Sequence, residues 1–109
     1  MSVTIQTDAP PLRQDSSGAL RVGSSRVLLE LVIRAFQDGA TPEAIVQRYP
    51  SLTLADSYAV VAYYLRHPED MEEYLAEREQ RAGEVRQRIE SRQADLGALR
   101  RRLLARRDP

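Results

Sequence analysis

Arginine supplies the densest chemistry in this chain. Arg100, Arg101 and Arg102 stand together, with Arg106 and Arg107 just beyond them. A guanidinium fork matches carboxylate and phosphate oxygens bidentately, so such a cluster suits an acidic protein surface or a nucleic-acid backbone. The plainer reading is a solvated helix end whose cations face the negative pole of the helix dipole. Arg13, Arg21 and Arg26 lie near the N-terminus and would be the phosphate contacts if the chain bound DNA. Acids gather at Glu69, Asp70, Glu72 and Glu73, but at a helix start, without the turn and glycine spacing of a calcium loop. They read as solvated surface. His67 is the single imidazole; it precedes Pro68 between two helices, where a capping or hinge role is expected. No glycine-rich phosphate loop, serine nucleophile motif or zinc spacing is present. The expectation is a protein that is not an enzyme and uses neither cofactor nor metal.

The elements that position these residues begin with a chain of 109 residues, enough for one domain and an extension. Without cysteine there is neither a disulfide frame nor a thiolate metal site. Met1 to Ala9 lacks the cationic start and apolar core of a signal peptide. The longest apolar run, Tyr58 to Leu65, has eight residues, against the ~20 of a membrane helix. A cytoplasmic protein with no membrane partner is expected. Net charge is zero but unevenly spread. Residues 1–67 hold six arginines and six acids; residues 68–83 hold two and six; residues 84–109 hold eight and four. The last two segments thus carry −4 and +4.

Residues 1–10 form a tail or a short strand, with Val3 to Thr7 alternating apolar and polar. Leu12-Arg13-Gln14, the Ser16-Ser17-Gly18 turn and Ala19 to Val22 make a small hairpin. A first helix runs from about Val27 to Asp38 and ends at Gly39, which suits a left-handed cap. Thr41 caps a second helix with Pro42 at its first position, and Pro50 stops it. Thr53 caps a third, about Leu54 to Arg66, with Asp56 completing a shortened capping box. A short helix, a turn and a longer helix are the skeleton of a helix-turn-helix. From Pro68 to Arg107 nothing forbids one long helix, which Gly83 and Gly97 weaken. Its heptad seam reads Leu75, Ala82, Ile89, Leu96 and Leu103, with Arg78, Val85, Arg92 and Leu99 three residues further on.

The fold class is therefore mainly α: a short N-terminal β hairpin, a three-helix helix-turn-helix-like core over 11–67 and a long amphipathic C-terminal helix over 68–109. On the third helix, Leu54, Tyr58, Val61, Ala62 and Leu65 fill one face, and Ala59, Val60, Tyr63 and Tyr64 much of the other. A core so small buries only ~60% of its surface, so the second face is expected to need a second copy of the chain. The interface of that homodimer would use Leu28, Val32, Val60, Tyr63 and Tyr64.

Thr41-Pro42-Glu43-Ala44-Ile45, then Tyr49-Pro50-Ser51-Leu52-Thr53, then Asp56, Ala59 and Tyr63-Tyr64 closely resemble the bacterial family called domain of unknown function 433. Gly23-Ser24-Ser25-Arg26-Val27 is similar to that family's Gly-Thr-Arg turn, but lacks its proline. The resemblance covers roughly residues 11–67. It implies an antitoxin of a toxin–antitoxin pair, partnered by a PIN-like ribonuclease. That partner's metal-holding carboxylates would suit an arginine-rich helix, so toxin binding is expected at Val85, Ile89, Arg92, Leu96, Leu99, Arg100, Arg101 and Arg102. The other reading is a DNA-binding transcriptional repressor, on operator DNA, whose C-terminal helix only dimerises. Against it, the third helix opens with Thr53, Leu54, Ala55, Asp56 and Ser57, an acid and no base where groove-reading side chains belong.

Overall fold

Strand β1 (Leu12–Gln14) and strand β2 (Leu20–Val22) pair antiparallel, Leu12 opposite Val22 and Gln14 opposite Leu20. The computed structural model describes residues 2–106. No strand forms over Val3 to Thr7, which runs exposed without a pairing partner; the hairpin is made by the two later segments alone. Its turn is built on Asp15, whose Oδ1 accepts from the Ser17 N–H at 2.9 Å, the Ser17 hydroxyl at 2.6 Å and the Ala19 N–H at 3.1 Å. Gly18 completes the turn at φ +87°.

Helix α1 (Leu29–Gln37) begins two residues later than its apolar pattern implies. The reason is the sheet: the Val22 N–H donates to the Val27 carbonyl at 3.0 Å, and Leu28 bridges to Arg21. At the other end the Gly39 N–H reaches Phe36 O and the Ala40 N–H reaches Ala35 O, both at 3.0 Å. That pair of bonds is a Schellman motif, with Gly39 at φ +99° in the left-handed position. Helix α2 (Pro42–Arg48) is capped by Thr41, whose side chain accepts from the Ala44 N–H. Helix α3 (Leu54–Arg66) is capped by Thr53, which accepts from the Asp56 N–H at 3.1 Å. Helix α4 (Pro68–Ala105) starts after one linking residue, His67, whose N–H donates to Tyr63 O and whose carbonyl accepts from the Met71 N–H. His67 thus closes one helix and opens the next.

The chain divides into two units, Met1–Glu73 and Tyr74–Pro109. In the first, α1, α2 and α3 pack on one another in a helix-turn-helix-like core, with β2 against α1. Val22, Leu29, Val32, Ile33, Ile45 and Val60 are wholly buried there. The second unit is the remainder of α4. Among the described residues no helix is long and apolar enough to cross a membrane.

Asp56 does not turn its carboxylate back to complete a capping box. It lies instead against Gly23, in the turn after β2: a Cβ on Gly23 would stand 2.3 Å from Asp56 Oδ2. Gly23 also has φ +57°, so a side chain there meets both backbone strain and a clash. Gly23→Ala is expected to destabilise the fold by about 1–3 kcal/mol. Adding Asp56→Ala should return only the part owed to the clash, as chemical denaturation of the two variants would show.

Candidate interaction surfaces

Two of the three N-terminal arginines are engaged inside the hairpin. Arg13 donates from Nε to Gly23 O at 2.8 Å and from Nη2 to Ser25 O at 2.6 Å. Arg21 donates from Nε to Asp15 Oδ2 at 3.1 Å and from Nη1 to the Arg26 carbonyl. Ser25, buried, locks the same turn by donating to Val22 O and accepting from the Val27 N–H. This segment, expected as a phosphate-contacting site through Arg13, Arg21 and Arg26, thus spends guanidinium donors on its own backbone; Arg26 alone presents an exposed side chain without such a bond among the described residues. The Ser17 hydroxyl, with the Ser17 and Ala19 N–H groups and Arg21, holds the Asp15 carboxyl well below the usual carboxylate range, against some opposing desolvation.

Two residues of the expected dimer face are corrected by the packing of α3. Val32 and Val60 have no exposed surface, and α1 and α3 bury them against each other within the chain, so neither can meet a second copy. Tyr64 is half-buried, edge-on to Phe36 at 6.1 Å, and its hydroxyl donates to Glu72 Oε1 at 2.8 Å. Gln37 donates to both Tyr64 Oη and Glu72 Oε1, tying α1, α3 and the second turn of α4 together. Tyr63 is half-buried against the His67 ring at 4.4 Å, and Leu28 is half-buried at the sheet bridge. On the other face of α3 Leu54, Tyr58 and Leu65 are exposed, while Val61 among them is buried. Ser57 sits between the two faces. It is fully buried, and its hydroxyl donates to Pro42 O at 3.0 Å where α3 crosses the start of α2. Tyr58 beside it donates to Glu43, which lowers the Glu43 carboxyl and raises the Tyr58 hydroxyl from their ordinary values.

On the second unit the geometry is that of one helix. Val85, Ile89, Leu96, Leu99 and Leu103 are each about half exposed, at 48–58 %. At ~100° of turn per residue these five, with Arg92, share an arc of about 80°. Arg100 and Arg102 flank that arc on opposite sides. Arg101 points about 160° away from its centre, so the three consecutive arginines cannot serve a single flat partner together. Arg106 is exposed beyond them, and Arg107 lies outside the described residues.

The first unit and this apolar stripe define a small helical protein with a helix-turn-helix-like core and a long helix that carries an uncovered apolar stripe. Residues 16–64 match the family described as Protein of unknown function (DUF433). The matched segment contains the Asp15-to-Val27 turn region after its first residue, the α2 and α3 caps and Ser57, and it excludes α4. No curated protein and no solved structure matches the chain.

The Asp15 carboxyl gives a pH signature. Because its folded-state value is depressed, its contribution is complete above the ordinary carboxylate pKa of about 4 and is lost as pH falls from there toward the folded value. Asp15→Asn should therefore lower thermal stability most at pH 6–7, roughly, and the gap to wild type should narrow below about pH 4. A gap that stays constant across that range would remove the charge from the account of this turn.

Proposed function

We propose that this chain is an antitoxin that binds and neutralises a PIN-like ribonuclease through α4. The observation that carries this reading is the uncovered stripe of Val85, Ile89, Leu96, Leu99 and Leu103, edged by Arg100 and Arg102 and interrupted by Arg92. Half-exposed aliphatic side chains of this kind gain on the order of 1 kcal/mol each when a partner covers them. Arginines at the rim steer association with an acidic partner and contribute less to the affinity of the finished complex. The family resemblance of residues 16–64 supplies the class of partner. A repressor that reads operator DNA draws less support, since Arg13 and Arg21 are engaged in the hairpin and α3 opens with Asp56 and no cation.

Co-purification with the product of the adjacent gene tests the reading directly. A chain ending at Ala76 keeps the Gln37–Tyr64–Glu72 bonds and the buried Met71 and Leu75, so it should fold yet fail to retain the ribonuclease. Full protection of cells by that truncated chain would move the binding surface to the first unit. Within α4, Ile89→Asp should weaken the complex at every salt concentration. Arg100→Gln together with Arg102→Gln should slow association and flatten its salt dependence, whereas Arg101→Gln should change neither. Binding kinetics at two ionic strengths read all three, and an effect of Arg101→Gln equal to that of its neighbours would refute the stripe as the contact.

A further inference from the structure

We infer that, in the chain by itself, α4 pairs with α4 of a second copy in antiparallel orientation, centred between Glu90 and Ser91. The first ground is charge. Residues 68–83 carry two arginines and six acids, and residues 84–109 carry eight arginines and four acids. Antiparallel pairing lays the acidic segment of each helix along the basic segment of the other; parallel pairing sets like against like within a Debye length of ~8 Å.

The second ground is the seam. Parallel, in-register pairing would hold Arg92 opposite Arg92 and Arg78 opposite Arg78 among apolar side chains. About the 90/91 centre, Arg92 instead faces Ile89, Val85 faces Leu96, and Ala82 faces Leu99. An arginine stem can cover an isoleucine while its head reaches water. Every layer then has at least one aliphatic side chain.

The flanking positions agree with the same register. Glu79 faces Arg100 and Arg88 faces Asp95, and two-fold symmetry makes each contact twice. Arg81 faces Arg102, the one adverse pair, and Arg81 already lies 3.6 Å from Glu77 of its own helix. In the parallel arrangement Arg81 would face Arg86 and only Asp95 with Arg100 would attract. The side chains concerned are available: Val85, Ile89, Leu96 and Leu99 are half exposed on a helix of 38 residues. This pairing is a property of the free chain and does not rest on the ribonuclease reading. Both use one stripe, so a partner and a second copy exclude each other.

The chain has no cysteine, so introduced thiols report alone. Val85→Cys and Leu96→Cys, made separately in the full chain, lie outside the buried core and leave it intact. On mild oxidation, a mixture of the two variants should give covalent dimers joining Cys at 85 to Cys at 96, several-fold more than either variant gives by itself. Wild type should sediment as a dimer at micromolar concentration and shift toward monomer in high salt. Equal linking by each variant alone means parallel or random contact and overturns the inference. So does a monomeric mass, or a dimeric mass without the mixed link.

Discussion

Ser57 is the residue on which the arrangement of the core turns. A hydroxyl buried without a partner is costly, and here the Pro42 carbonyl supplies one at 3.0 Å. The side chain is small enough for α3 to cross close over the first turn of α2, and polar enough to fix where it crosses. Once Ser57 faces inward, helical geometry places Val60 and Val61 on either side of it in the core, while Leu54, Tyr58 and Leu65 stay exposed at the margin beyond Val61. The contact of Asp56 with Gly23 follows from the same rotation. It seats the first turn of α3 against the turn that leads out of the hairpin. The hairpin, the two short helices and α3 are therefore held in one orientation by a serine, a glycine and the residues beside them.

The ends of the elements were legible in the sequence because each has a local cause. Thr41, Thr53, Gly39 and Pro42 act through bonds within a few residues of themselves, and all sit where their chemistry predicts. The facing of α3 was not legible, because both of its sides carry apolar residues. Only the partner of the Ser57 hydroxyl, fifteen residues away, decides between them. The same distance problem hides the roles of Arg13 and Arg21. Spacing presents them as surface cations, whereas their targets are carbonyls that exist only after the hairpin and the following turn have formed. Val3 to Thr7 alternates well enough for a strand, but alternation cannot supply a second strand to pair with. On α4 the heptad reading survives as a stripe, while the run of three arginines separates into two rim residues and one that faces away.

Burial divides differently between the units. In the first, wholly buried aliphatics come from β2 and from every helix of the core, so its stability is shared among elements distant in sequence. Beyond the buried Leu75, the second holds its order through bonds within one helix and through charges a turn apart, such as Arg81 with Glu77. Exposed pairs of that kind contribute only a few tenths of a kcal/mol. Covering the stripe is accordingly the largest stabilisation open to α4.

Gly83 and Gly97 sit on the side of α4 away from that stripe, two heptads apart, and a Cβ at either would meet nothing within 4 Å beyond the adjoining stretch of its own helix. Packing does not require them, yet each weakens the helix by about 1 kcal/mol relative to alanine. They lower the free energy of local opening, which governs how readily a protease finds cleavable backbone. Substitutions on the glycine side of α4 thus change how readily the helix opens, and substitutions on the stripe side change the apolar surface it presents. Each side can change in sequence without disturbing the other.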